Sequence, residues 1–139
     1  MSRKGFSDGK LLVMLGGEHL VTLPAVRAAA VRYPGLSVIH FDAHADLREK
    51  YLGMSLSHAT VMRRVLEITG PENLFQFGIR SGTREEFSYA RSAVNFHPFT
   101  VNLEDIVKTV DMLKGKPVYI TIDQSPSQTR GGLFCHKYV

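Results

Sequence analysis

Short apolar runs alternate with longer amphipathic ones along this chain, and that alternation restricts it to one fold class. Leu11 to Leu15 is an unbroken apolar run halted by Gly16-Gly17, and it reads as a buried strand. Over residues 21–33, Leu23, Val26, Ala30 and Tyr33 recur at helical spacing while Arg27 and Arg32 fall off that face. Pro34-Gly35 closes that helix, and Leu36 to Phe41 forms a second strand ending on Asp42. A polar loop over 43–57 leads to a helix over 58–68, with Val61, Val65 and Ile68 inward and Arg63, Arg64 and Glu67 outward. Asn73 to Ile79 is a third strand, closed by Arg80-Ser81-Gly82. Thr83 is placed to cap the next helix, and Glu86 three residues on completes a capping box. Val94 to Phe99 is a weak fourth strand. Asn102 caps a helix through Leu113 whose apolar face is Leu103, Ile106, Val107 and Val110. Gly115-Lys116-Pro117 turns into a last strand, Val118 to Ile122, ending on Asp123. Strand-helix alternation of this kind predicts an α/β fold of three layers, α/β/α, around a mostly parallel sheet.

Composition narrows the partners. The 139 residues are 44% hydrophobic and 22% charged, which suits one globular domain. No apolar run approaches the ~20 residues of a membrane span, and the N-terminus lacks the apolar core of a secretory signal. The only cysteine is Cys135, so a disulfide framework is excluded and a cytoplasmic, reducing setting is expected. The net charge of +4 sits at the two ends. Residues 1–10 hold Arg3, Lys4 and Lys10 against Asp8, and residues 124–139 hold Arg130 and Lys137 with no acid. Between them, basic and acidic residues balance, and no basic stripe is present for nucleic-acid phosphates.

In open α/β sheets ligands bind beyond the C-terminal strand ends. Glu18-His19 follows the first run, Asp42-Ala43-His44-Ala45-Asp46 follows the second strand, and Asp123 follows the last. Carboxylates and imidazoles converging on one edge suit manganese, zinc or iron. Asp42, His44 and Asp46 point the same way if their segment stays extended, and the alanines let the backbone come close. The plainer alternative is an Asx-turn in which Asp42 and Asp46 bond local amides. Adjacent carboxylates raise each other's pKa unless a cation intervenes, and five ligands suit two ions sharing a carboxylate.

Five ordered motifs together resemble the ureohydrolases, the arginase and agmatinase family. They are Gly-Gly-Glu-His at 16–19, Phe-Asp-Ala-His-Ala-Asp-Leu-Arg at 41–48, Ser-His-Ala-Thr at 57–60 with Arg63-Arg64, Phe-Gly-Ile-Arg-Ser-Gly at 77–82, and Tyr-Ile-Thr-Ile-Asp at 119–123. The likeness is greatest to bacterial agmatinases and spans residues 11–123. It implies an arginase-like, incomplete domain over 11–123, flanked by an N-terminal tail over 1–10 and a divergent tail over 124–139. It also implies a binuclear manganese site. By match, His19 and Asp46 bind one ion, His44 binds the other, and Asp42 and Asp123 bridge them. His58 matches a histidine that positions or shuttles a proton beside the substrate, and Asp46 the carboxylate that passes a proton to the leaving amine. The implied reaction is hydrolysis of the agmatine guanidinium to urea and putrescine, in a protein that assembles as a homo-oligomer. Arginase or guanidino-acid hydrolase activity, or an inactive metal-binding remnant, are the alternatives.

The resemblance breaks after Asp123. Ser125 stands where the family places a second aspartate ligand, so a second ion should bind weakly and activity should be impaired. The tail has no periodicity; a reading-frame change or an assembly join after Asp123 would account for it. The last strand is expected to lack its C-terminal neighbour and expose an apolar edge. Other residues take plainer readings. His40 and His97 read as satisfied core or interface histidines, Arg63 and Arg64 as a solvated helix face, and Met54, Met62 and Met112 as packing residues. Glu18 is either a partner orienting His19 or a loop acid.

Overall fold

A computed structural model of the chain describes residues 11–123. The tails over 1–10 and 124–139, with Ser125, lie outside the described residues. The elements are α1 (Thr22–Arg32), β1 (Ser37–Phe41), α2 (Val61–Thr69), β2 (Leu74–Ile79), α3 (Arg84–Ala93), β3 (Asn95–Pro98), α4 (Leu103–Met112) and β4 (Val118–Ile122). Short 3-10 turns at His19–Val21 and His58–Thr60 lead into α1 and α2.

The four strands form one parallel sheet in the order β3-β2-β1-β4. Period-two alternation sends the two sides of each strand to different cores. Val38, Leu74 and Ile79 pack with Leu23 and Val26 of α1, Val61 and Val65 of α2 and Ala90 of α3. Ile39, Phe75 and Phe77 face the other way and pack with Leu113 and the α4 residue Ile106. The three-layer α/β/α arrangement predicted from the sequence is present. β2 switches sides at a bulge between Phe77 and Ile79, where Gly78 takes φ +80°. A Cβ there would meet Val101 Cγ2 at 2.9 Å, so glycine is required on two counts. The Thr83–Glu86 capping box forms as predicted, with Glu86 N donating to Thr83 Oγ1 at 3.2 Å and Thr83 N to Glu86 Oε2 at 2.7 Å. Asn102 caps α4 through Asp105 N at 2.8 Å.

Four expectations are corrected. Residues 11–15 are not a strand. A strand persists only where a neighbour takes its N–H and C=O groups, and none of the four strands pairs with this run. Leu11 and Leu15 are consequently exposed, while Met14 packs on the larger core. Leu103, Val107 and Val110 of α4 are also exposed, because among the described residues α4 alone covers its side of the sheet and its apolar arc is wider than one surface can bury. Met62 is fully buried, but Met54 and Met112 are exposed. The α2 arginines are not a free solvated face. Arg63 lies 4.0 Å over the Tyr89 ring, and Arg64 pairs with Glu67 at 2.6 Å and donates to Glu49 O. Among the described strands, β4 lies at one edge of the sheet.

Candidate metal centre

Parallel strands put their C-terminal ends at one end of the sheet. Phe41 and Ile122 are register partners, and Asp123 N donates to Phe41 O at 2.9 Å. Asp42 and Asp123 therefore leave adjacent strands side by side. Beyond β1 the backbone runs along the segment after β2. Arg80 N and Ser81 N both donate to Ala43 O at 2.8 Å, and Ala45 N donates to Ser81 O at 3.1 Å. Asp46 then takes φ +53°, a left-handed conformation that costs a non-glycine residue about 1–3 kcal/mol. The start of α2 holds it there, because Met62 N and Arg63 N donate to Asp46 O at 3.0 and 3.2 Å.

His19, in the turn before α1, is 3% exposed. Its Nδ1 lies 2.7 Å from Asp46 Oδ2, 3.6 Å from Asp42 Oδ2 and 3.8 Å from Asp123 Oδ2. Its Nε2 lies 3.4 Å from Thr121 Oγ1 on β4. Asp42 faces two ways. Its Oδ2 accepts from His40 Nε2 at 3.1 Å. Its Oδ1 accepts from His44 N at 2.8 Å and lies 3.3 Å from His44 Nδ1. The Asx-turn alternative is thus realised on one oxygen of Asp42 while the other faces the imidazole of His19.

Burial and mutual charge set the electrostatics of this cluster. Burial, reinforced by the charge of Asp42, pushes the Asp46 carboxyl up to about 7. Burial also opposes ionisation of Asp42, but hydrogen bonding and charge from His40, with the His44 N–H, hold it below its ordinary value. Burial lowers the His19 pKa although Asp42 and Asp123 pull the other way. Three carboxylates thus converge on one imidazole nitrogen that burial keeps neutral. Oxygen and nitrogen donors without a thiolate fit a divalent ion of the manganese, zinc or iron kind. Ligand atoms of His19, His40, Asp42 and Asp46 all lie within 4.8 Å of one another.

A cleft of about 440 Å³ opens over the cluster, lined among others by Glu18, His44, Arg48, Tyr51 and His58. His58 stands at its exposed rim, edge-on to the Tyr51 ring at 5.3 Å, with Nδ1 4.0 Å from Glu18 Oε1. Glu18 thus stands beside His58 rather than against His19. All six residues singled out in the sequence, His19, Asp42, His44, Asp46, His58 and Asp123, meet at this end of the sheet.

The family model of the arginase family matches residues 2–125. The chain is 51% identical over 116 residues to an agmatinase from Bacillus anthracis, which covers 83% of this chain and 40% of that protein. The chain belongs to the arginase family. It spans about two-fifths of the length of the curated relatives it matches. It is also 38% identical over 127 residues to the N(1)-aminopropylagmatine ureohydrolase of Thermus thermophilus, covering 86% of this chain and 41% of that one. The agmatine ureohydrolase structure of Thermoplasma volcanium superposes with a TM-score of 0.72 at 39% identity, over 87% of this chain and 42% of that chain.

Two residues of this arginase-family site escaped the sequence reading. The sequence presents Glu86 only as a helix cap, yet it is buried and also accepts from Leu47 N at 3.0 Å and Arg48 Nε at 3.2 Å. It ties the loop after β1, which carries His44 and Asp46, to α3. Gln76 belongs to none of the sequence motifs. It is fully buried on β2, opposite His40, with Nε2 3.0 Å from His40 Nδ1 and 2.8 Å from Ala45 O. A lone amide between Phe75 and Phe77 was the available signal. His40 is satisfied at both ring nitrogens, as its plainer reading held, and one of its partners is Asp42.

Proposed function

We propose that this chain carries most of the metal-binding half of an agmatinase-type ureohydrolase, which hydrolyses the guanidinium of agmatine to urea and putrescine. The convergence of Asp42, Asp46 and Asp123 on His19 Nδ1 supports the reading most, and the printed names of the relatives indicate the substrate class. His19, Asp42, His44, Asp46 and Asp123 would together hold a pair of manganese ions. When bound, such a pair would lower the pKa of a water and polarise the bond to be cleaved. The residues do the rest. The acidic cluster draws in the planar cationic guanidinium, Asp46 carries a proton toward the leaving amine, and His58 stands at the rim within reach of an entering substrate. The setting is cytoplasmic, and the intact protein is a homo-oligomer. Ser125, in place of a second aspartate, weakens the second ion and with it turnover.

Purified protein supplied with manganese and agmatine tests this. Slow urea release that rises with added manganese is expected. Urea release at ordinary enzyme rates would overturn the impairment, and absence of any manganese uptake would overturn the metal reading. Arginine, guanidinobutyrate and aminopropylagmatine assayed in parallel separate the substrates. The last is included because relatives from Thermus thermophilus and Thermococcus kodakarensis carry that name.

A further inference from the structure

Four ligand-type atoms cluster at the centre, but the hydrogen bonds around His40 distinguish its role from the others. Gln76 Nε2 lies 2.8 Å from Ala45 O. A carbonyl oxygen only accepts, so the amide nitrogen must occupy that position; the flipped amide would set two oxygens against each other. The second hydrogen of that nitrogen is directed at His40 Nδ1, 3.0 Å away. His40 Nδ1 must then accept, which puts the imidazole proton on Nε2, 3.1 Å from Asp42 Oδ2. The Gln76 carbonyl oxygen, by contrast, is buried without a hydrogen-bond partner. A buried acceptor left unmade is costly, so the amide keeps this orientation because both its N–H groups are used.

We propose that Gln76 is a positioning residue of this centre: its amide fixes the tautomer of His40, so that His40 acts as a donor aiming Asp42 and is excluded from the ligand set. The inference rests on the metal reading under Proposed function. Gln76, His40 and Asp42 form a line from β2 through β1 to the loop, and all three are buried. A protonated Nε2 has no lone pair to offer an ion. It occupies one side of Asp42 Oδ2 and leaves the carboxylate turned toward His19 and His44. A second bond from the same amide to Ala45 O holds the loop on which His44 and Asp46 stand. The tie from β2 to the ligands thus passes through one side chain.

The test begins on the metal-free, full chain. Ring 15N shifts of His40 are expected to show the Nε2-protonated form; the Nδ1-protonated form overturns the proposal. Manganese affinity is then read from the free-ion EPR signal. His40→Leu is expected to weaken binding about 10–100-fold, as loss of an outer-shell partner does. His40→Gln keeps an N–H for Asp42 and is expected to bind close to wild type. If His40 were itself a ligand both variants would lose binding alike, and that result overturns the proposal. Gln76→Met is expected to weaken binding within the same range, and unchanged affinity in a folded Gln76→Met chain would count against it. The two readings fail separately. No manganese uptake by wild type overturns the metal centre, whereas the tautomer is measured without metal.

Discussion

Lowering the pH should weaken metal binding, and Asp46 sets by how much. Its carboxyl is buried, sits beside Asp42 and Asp123, and is pushed up to about 7, against an ordinary 3.8. An ion that binds through Asp46 must displace its proton. Below about pH 7 the apparent affinity should therefore fall up to tenfold per pH unit, or about 1.4 kcal/mol per unit. Above pH 7 the carboxyl is ionised in the free protein and the contribution levels off. An ordinary carboxylate would already be ionised at pH 5 and give no slope at all. His19 adds little, because burial favours its neutral, metal-ready form. The measurement is the manganese dissociation constant between about pH 5 and 8, alongside carboxyl 13C titration of aspartate-labelled, metal-free protein. The carboxyl signal separates Asp46 from the imidazoles, which also release protons to a metal. A 13C midpoint near 4, or an affinity that stays level from pH 5 to 7, would refute the reasoning.

The same shift has a consequence for folding. Asp46→Asn should stabilise the metal-free protein at pH 8 by up to about 4 kcal/mol, since the folded state disfavours the ionised carboxyl, and should remove the rise in Tm on adding manganese. Equilibrium urea unfolding checks the first, and thermal unfolding with and without manganese checks the second. Glu86→Ala strands the buried Leu47 N–H and frees Arg48, for a loss of about 3 kcal/mol by the same method. Gly78→Ala forces an unfavourable φ and a clash with Val101, so about 1–3 kcal/mol is lost, with weaker manganese binding because the bulge directs the segment beside Ala43. Asn102→Ala, at the cap of α4 and remote from the cluster, should cost about 1 kcal/mol and leave metal affinity unchanged.

Periodicity and turn chemistry were enough to locate four strands and four helices, because those signals are local. Two kinds of information were not local. The run 11–15 is as apolar as β1, but hydrogen-bonding partners make a strand, and partners lie elsewhere in the chain. Leu103, Val107 and Val110 show that an apolar helix stripe states what could be buried, not what is available to bury it. The site divides in the same way. Asp42, His44, Asp46 and Asp123 follow strand ends and His19 follows the apolar run at 11–15, so spacing reached them, whereas His58 was reached only through the motif shared with the ureohydrolases. Gln76 and the second role of Glu86 depend on which backbone groups their side chains meet across the sheet, and Gln76 announces itself only as a polar residue in an apolar strand.

The register between β1 and β4 carries a further consequence. Asp42 and Asp123 each stand one residue past a strand end, and their strands end opposite each other. The gap between the two carboxylate-bearing backbones is therefore the inter-strand repeat, about 4.8 Å, which every parallel ladder shares. The sheet behaves as a ruler whose graduation is fixed by peptide hydrogen bonds. Side chains around the cleft can change without altering that interval. A slip of one residue between β1 and β4 would turn one aspartate to the opposite face and erase it altogether.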